Sequence, residues 1–575
     1  MELSELIEVT RVRDAFMRKG PRPSQIGDIC IFGHHLIFAP TTTNETNNKE
    51  AAAADSPEEF WLLHKAVDRV LCEPISKENP QRGGLLALKC KNFLIIIFEI
   101  GDLEICRATA RTIEALSNIN GFVHDYAFFY NSPFTILDDG WSAFDPEQEF
   151  ARLMTSTDAF RISSVNENFA VCPTYPEKVI VPKGIGDDYL KISATFREGG
   201  RFPVLSYFHR ETRSPIFRCS QPLIGPTNRR CREDETILNS MITLNRGYII
   251  DTRSKSAATS SKAKGGGAEP QGNYRQWRYV QCPIPRQREI HDALTRMVDV
   301  CSDRKVQSDR WVNRVGQAGW LSAVAASLEA AANIAQCLYS EGLKEVPVVI
   351  HGGDGLDSTL IASSLSQIIL DADARTIRGF ESVIEREWIC AGHPFSLRNN
   401  HAAFAEGTVT GPFESPVFLA FLDCVHQMVV QYPLSFEFDE HFLIFLFEHA
   451  YASEFGSFLG NSEKEKRDNG IRKKTVSLWS HVHHPENLKQ FVNACYDPIP
   501  GVIWPSVAPQ SIRIWDRLFF RWQRSENSWS TPETETIQSL ADHWKLREKE
   551  LTAKASSLRR NVIELSKELR IPSPL

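Results

Sequence analysis

His351-Gly-Gly-Asp-Gly-Leu-Asp-Ser-Thr359 follows Val346-Pro-Val-Val-Ile350 and runs directly into Leu360-Ile-Ala-Ser-Ser-Leu-Ser-Gln-Ile-Ile-Leu370. The β-branched run before the loop reads as a short buried strand, and the apolar run after it as a buried helix. A strand, a glycine-rich turn and a helix N-terminus together aim backbone N–H groups at one point, the geometry that holds a phosphate. The turn lacks the Gly-Lys-Ser/Thr ending of a Walker loop, so nucleotide chemistry of that kind is not expected.

In framework and spacing the segment matches the cysteine-phosphatase signature His-Cys-x5-Arg-Ser/Thr. There a thiolate, kept ionised by the helix end, attacks phosphorus in line. An arginine six residues on grips the equatorial oxygens with its bidentate fork. In this chain Gly352 stands where the thiol is needed and Ser358 where the guanidinium is needed. Glycine has no nucleophile, and serine supplies no delocalised cation. Cys282 to Arg288 has the same Cys-x5-Arg spacing, but its two prolines and lack of glycine leave no cradle of N–H groups.

Further residues carry a resemblance over most of the chain. Arg375-Thr-Ile-Arg-Gly-Phe-Glu381, Ile384-Glu-Arg-Glu-Trp388, Gly392-His-Pro-Phe395 and Pro416-Val-Phe418 follow the loop. So do Phe421-Leu-Asp-Cys424, Tyr432-Pro-Leu-Ser-Phe-Glu-Phe438, Phe455-Gly-Ser-Phe-Leu459 and Ser477-Leu-Trp479. Upstream lie Gly140-Trp141, Asp145-Pro146, Cys172-Pro-Thr-Tyr-Pro176 and Arg201-Phe-Pro-Val-Leu-Ser206. These resemble the myotubularin family of 3-phosphoinositide phosphatases, densely over 125–520 and more loosely toward the N-terminus, where that family has its PH-GRAM domain. Active members read His-Cys-Ser-Asp-Gly-Trp-Asp-Arg-Thr at the loop. This chain keeps His351, Asp354, Gly355, Asp357 and Thr359, and departs at Gly352, Gly353, Leu356 and Ser358. Asp357 occupies the position of the family's proposed general acid.

The pattern resembles the pseudophosphatase branch of that family, with no catalytic residue, cofactor or metal. The resemblance implies an adaptor that pairs with an active myotubularin-family phosphatase and raises its activity or lipid binding. It implies a cytoplasmic protein, peripheral to endosomal or other internal membranes, that touches phosphoinositides weakly and also pairs with itself. A stand-alone phosphoinositide-binding module is the alternative. A phosphatase using Asp354 or Asp357 as nucleophile is a third reading, and both aspartates have scaffolding explanations.

The expected fold is an α/β cysteine-phosphatase-like domain between a PH-GRAM domain and a C-terminal coiled-coil helix. The PH-GRAM domain, a pleckstrin-homology-like β-barrel, spans 1–130 and the phosphatase-like domain 131–525. In the first, Ile29-Cys-Ile-Phe32 and Leu36-Ile-Phe38 flank a hairpin at Gly33-His-His35. Phe60 to His64, Val67 to Val70, Leu85 to Lys91 and Phe93 to Phe98 read as strands. A helix from about Asp102 to Ser117 places Leu103, Cys106, Ala110, Ile113 and Leu116 on one face. Thr41 to Ser56 reads as a polar loop. Ser254 to Gly272, rich in Ser, Ala, Gly and Lys, is expected to be disordered, with Arg253, Lys255, Lys262 and Lys264 solvated or touching phosphate. His351 reads as a satisfied structural histidine, Trp388, Trp479 and Trp504 as core, and Arg375 and Arg378 as ties between helices.

The tail over 532–570 carries a heptad pattern. Ile537, Trp544, Leu551, Leu558 and Leu565 recur every seven residues, with Ala541, Glu548, Ala555, Val562 and Leu569 four residues after each. This is an a/d seam broken only at Glu548. It suits a coiled coil with a partner, or an amphipathic helix laid on the protein's own body.

Composition agrees. A formal charge of −7 gives no global pull toward nucleic acid or anionic membrane. Thirteen cysteines form no Cys-x-x-Cys pair, which fits reduced thiols, and none follows Cys495, so the tail holds no Cys-rich zinc finger. The N-terminus lacks the basic flank and apolar core of a signal peptide. Phe93 to Phe98, the densest apolar run, is far short of a membrane span. A soluble intracellular protein is the expectation.

Overall fold

Seven antiparallel strands build the N-terminal part of the chain. They are β1 (Arg11–Lys19), β2 (Gln25–Ile31), β3 (His35–Pro40), β4 (Phe60–Leu63), β5 (Val67–Pro74), β6 (Gly84–Cys90) and β7 (Ile95–Ile100), with burial alternating most clearly in β3 and β6. The computed structural model describes residues 3–20, 24–41, 59–76, 79, 82–119, 121–142, 144–303, 308–339, 344–404 and 414–521. In the tail it describes 544, 545, 547–549, 551–560 and 562. The strands form one sheet in the order β4-β3-β2-β1-β7-β6-β5, a half-barrel of the PH-GRAM-like kind. Helix α1 (Leu103–Ser117) packs on it through Cys106, Ala110, Ile113 and Leu116, the face its spacing predicts. Its Asp102 cap accepts from Glu104 N at 2.7 Å and Ile105 N at 3.1 Å. The hairpin at Gly33 is present, with Ile31 opposite Leu36.

Two elements of this sheet differ from expectation. β1 lies at its centre, between β2 and β7, although its sequence does not alternate cleanly. A register shift between Val12 and Ala15, with Asp14 at φ 55°, spaces the buried residues Val12, Ala15 and Met17 unevenly. Phe93, expected to begin a strand, instead sits in the turn before β7 at φ 67°. Its ring is fully buried outside the half-barrel, against Phe447 and Phe519 at 5.5 and 5.9 Å. Asp68 makes a second bond to the following domain, accepting from Ala402 N at 3.0 Å and Phe404 N at 2.9 Å. The half-barrel and the α/β domain therefore belong to one compact unit ending at Trp522. The loop expected over 41–56 lies, beyond Thr41, outside the described residues.

The second domain contains, after the helix Pro146–Met154, the small pair β8 (Phe160–Ser163) and β9 (Val179–Pro182). Its main sheet contains β10 (Val204–His209), β11 (Ser214–Cys219), β12 (Gly247–Asp251), β13 (Trp277–Gln281) and β14 (Val348–His351). The order is β10-β11-β14-β12-β13, with β14 parallel to both neighbours and buried at all four residues. The glycine-rich loop leaves the carboxyl end of this central strand, where open α/β sheets bind ligands. Helices Ser358–Leu370, Trp320–Leu338 and Val417–Gln431 pack against one another beside the sheet. Trp320–Leu338 is long and apolar enough to cross a membrane by length and composition. It is nonetheless part of the core, and the Trp320 indole donates to Asp423 at 2.7 Å.

The expected disorder over 254–272 is corrected by the structure. Lys255–Ala263 is a helix, capped by the Ser254 hydroxyl on Ala257 N at 3.3 Å. Small residues permit this helix, and the glycines after it let the chain pass close to its neighbours. A Cβ at Gly266 would stand 2.2 Å from Gln221 Oε1. Arg253 is neither solvated nor free for phosphate. It donates to Asp251 Oδ2 at 2.7 Å, to Gln221 Oε1 at 2.5 Å and to Gly267 O at 2.8 Å. Lys262 donates to Asn228 Oδ1 at 2.8 Å.

Trp388 and Trp479 are core residues as expected, whereas Trp504 is 39% exposed. Arg375 is buried and ties its helix to the chain at Ile499 O and Gly501 O, at 3.0 and 2.6 Å. Arg378 makes only an exposed contact with Asp138 at 3.4 Å.

The tail is a separate unit, Gln523–Leu575. Its described residues are helical, and Trp544, Leu551 and Leu558 are 62%, 49% and 56% exposed. Ala555 and Val562 are also in this helix, with Ala555 exposed and Val562 half-buried. Ile537, Ala541, Leu565 and Leu569 lie outside the described residues.

Candidate functional site

His351 ends β14 with its imidazole completely buried, so its polarity must be answered inside the protein. Nε2 lies 2.9 Å from Glu269 Oε2, and Nδ1 lies 3.2 Å from Gly352 O. Glu269 also accepts from Arg197 Nη1 at 2.6 Å. The other edge of the Arg197 guanidinium donates to both oxygens of Asp234, at 2.9 and 2.7 Å. Asp234 in turn accepts from Ser193 at 2.7 Å and Tyr274 at 2.9 Å. Asp234, Arg197, Glu269 and His351 thus form a continuous buried chain of alternating charge behind the loop. Burial by itself disfavours a charged imidazole, but the Glu269 carboxylate beside it raises the His351 pKa above its ordinary value. Burial likewise works against the Glu269 carboxylate, yet His351 and Arg197 hold its pKa well below the usual range. His351 is a structural histidine, as the sequence predicts, and the structure adds its ion pair with Glu269. Its partner comes from the segment expected to be disordered.

The loop's backbone is held from the same side. Arg201 Nη2 donates to Gly355 O at 3.0 Å, and Gln221 N donates to Gly353 O at 3.0 Å. Gly355 has φ +74°, and a Cβ there would stand 2.7 Å from Cys219 O, so only glycine fits. Leu356 N is taken by Asp354 Oδ1 at 3.0 Å. Among the described residues, no hydrogen bond takes the N–H of Gly353, Asp354 or Gly355. The helix Ser358–Leu370 starts directly after this loop, so its N-terminus brings a partial positive charge to the loop's end.

The front of the cradle is filled differently. A Cβ at Gly352 would stand 2.8 Å from Thr252 Oγ1, 3.0 Å from Ser358 Oγ and 3.2 Å from Thr359 Oγ1. Thr252 and Ser358 hydrogen-bond to each other at 2.8 Å. Hydroxyls therefore close over the space that a side chain at position 352 would enter. Neither a thiol nor a guanidinium stands at the loop's two key positions.

Asp357 is the loop's strained residue, with φ 48° and ψ −97°. Arg398 holds its carboxylate through Nη2 at 2.8 Å and Nε at 3.2 Å, with His393 Nδ1 at 3.3 Å and the Gln287 amide as further partners. Burial opposes its charge, but the His393 and Arg398 contacts win and place its pKa well below the usual carboxylate range. A carboxyl held ionised in this way has no proton to give near neutral pH.

Of the loop residues singled out from sequence, His351 and Asp357 face two separate buried networks, and Asp354 is exposed. Leu356 is half-buried beside the core, and Thr359 is fully buried at the helix start. Sequence reasoning missed Glu269, Arg197, Asp234, Arg398, His393 and Thr252. Only His393 fell inside a quoted motif. The others are ordinary charged or hydroxylic residues far along the chain, with no local pattern to mark them.

Known proteins resemble this chain over most or all of its length. Residues 125–467 match the model of the Myotubularin-like phosphatase domain. The chain is 88% identical over 575 residues to "Myotubularin-related protein 9" of Caenorhabditis elegans, covering 100% of both chains. It is 44% identical over 569 residues to the Homo sapiens protein of that name, covering 99% of each. It is 35% identical over 449 residues to a Gallus gallus protein named "Phosphatidylinositol-3,5-bisphosphate 3-phosphatase MTMR2", covering 77% of this chain and 75% of that one.

Proposed function

The chain belongs to the myotubularin family, and within that family we propose that it is a catalytically inactive partner of an active 3-phosphoinositide phosphatase. The observation that carries this reading is the closed front of the cradle. Gly352 and Ser358 occupy the nucleophile and arginine positions, and the Thr252–Ser358 hydrogen bond spans the vacated space. Among the described residues, Asp357 offers no substitute, because it is committed to Arg398 and His393. A relative named for hydrolysing phosphatidylinositol 3,5-bisphosphate supports 3-phosphoinositides as the partner's substrate.

The tail supplies the means of association. Trp544, Leu551 and Leu558 are exposed on a helix and recur at heptad spacing, which favours burial against a second helix. In this reading the protein is cytoplasmic and reaches endosomal or other internal membranes with its partner. The free amides of the cradle and the half-barrel give it only weak phosphoinositide contact of its own, since no guanidinium backs the partial charge at the helix end.

Two measurements test the proposal. Phosphate release from a 3-phosphoinositide by an active myotubularin is expected to rise when this protein is added in equal amount, with no release from this protein alone. Release by this protein alone would refute inactivity, and no rise would refute the activating role. Truncation after Thr531 is expected to abolish co-purification with the active enzyme. Undiminished association would remove the tail from the mechanism and assign the contact with the active enzyme to the rest of the chain.

A further inference from the structure

A cavity of about 370 Å³ lies between the half-barrel and the α/β domain, and no residue of the 351–359 loop lines it. Four of its wall residues, His64, Asn399, Glu414 and Tyr451, are each less than a tenth exposed. Each has a buried polar atom without a protein partner: His64 Nδ1, Asn399 Oδ1, Glu414 Oε2 and Tyr451 Oη. Buried polar groups are normally hydrogen-bonded, so four orphans around one space point to a missing occupant.

The chemistry of the four atoms defines that occupant. His64 Nε2 donates to Phe32 O at 2.9 Å, and burial keeps the ring neutral by lowering its pKa to about 4, so Nδ1 is an acceptor. The Asn399 amide already donates to Ala450 O at 3.0 Å, leaving its carbonyl oxygen to accept. Glu414 Oε1 accepts from Asn400 at 3.1 Å, and Oε2 waits for a second donor. Tyr451 Oη can donate or accept. Burial, together with the Asp68 and Glu414 carboxylates, pushes its pKa upward and keeps the proton on.

Charge and shape select further. Asp125, Glu414 and Glu465 are in the walls, and Lys65 is the one lysine or arginine among the described lining residues, already 3.7 Å from Asp125. That balance disfavours phosphate. The rings of Tyr126, Phe395, Phe455 and Phe458 add aromatic surface suited to a cation. We infer that this interdomain cavity binds a small organic cation rich in N–H donors, a guanidinium or primary ammonium compound. The site is independent of the cradle and of any catalytic partner.

The test is isothermal titration calorimetry on the full chain with agmatine, which carries a guanidinium at one end and an ammonium at the other. Choline, a cation without N–H donors, and inositol 3-phosphate serve as comparisons. Agmatine is expected to bind one to one, with both comparisons weaker by roughly tenfold or more. Equal or tighter binding of inositol 3-phosphate or choline would overturn the inference. So would no binding of agmatine at millimolar concentration, which would mean that the cavity holds water only. Glu414→Gln is expected to weaken agmatine roughly tenfold and Tyr451→Phe roughly threefold. Tyr451→Phe keeps the ring, so it remains informative if Glu414→Gln fails to fold. Parental affinity in a folded Tyr451→Phe protein would count against the assignment.

Discussion

Behind the glycine-rich loop, Asp234, Arg197, Glu269 and His351 answer one another at hydrogen-bond distance; in front of it, the positions that phosphoryl chemistry needs hold a glycine and a serine. The two sides of one loop are under different physical demands. The back is buried, and an unpaired charge there would cost several kcal/mol. At the front the Thr252 and Ser358 hydroxyls meet beside Gly352, at positions where the signature's thiol and guanidinium would serve a reaction rather than the fold. Scaffold and chemistry therefore rest on different residues of the same loop.

The comparison predicts that the back is where the loop breaks. Glu269→Ala leaves Arg197 and His351 without their shared carboxylate and is expected to cost about 3–5 kcal/mol, read from urea denaturation. A loss below about 1 kcal/mol would mean that the buried chain does not hold the loop.

A pH titration sharpens the same contrast. The folded pKa of Glu269 is depressed, so its contribution is present above the ordinary glutamate value of about 4.3 and lost as pH falls below that. The folded pKa of His351 is raised, so its contribution is complete below the ordinary imidazole value of about 6.5 and lost as pH rises past the raised value. From this pair the denaturation midpoint is expected to be highest between about pH 5 and 6.5. His351→Gln should remove the alkaline loss specifically; an unchanged alkaline slope would assign that loss to other groups.

At the front the effect should be smaller. Gly352→Cys brings a Cβ to 2.8 Å from the Thr252 hydroxyl and is expected to cost about 1–2 kcal/mol as Thr252 and Ser358 yield. It should release no phosphate from a 3-phosphoinositide, because position 358 still lacks a guanidinium. Turnover in this variant would show that the front is less dismantled than its residues imply.

Much of the architecture is legible in local pattern. The half-barrel strands, the α1 face, the β14–loop–helix unit and the loop's missing groups all follow from residues close together in the chain. β1 escaped because a bulge at Asp14 breaks its alternation. The helix Lys255–Ala263 escaped because serine, alanine and lysine between glycines read as a linker. Glu269 lies just beyond it and shows no periodicity or motif to connect it with His351.

What this sequence determines by itself is the chemistry absent from positions 352 and 358, the strand–loop–helix around them, and the heptad spacing of the tail. These are properties of neighbours, set by side-chain identity and by backbone periods of a few residues. Tertiary structure alone decided that Glu269 meets His351, that Arg398 claims Asp357, that Thr252 closes over Gly352, and that Phe93 plugs the α/β core. Charge pairing and packing depend on distance through space, which chain order does not encode until the fold brings the partners together.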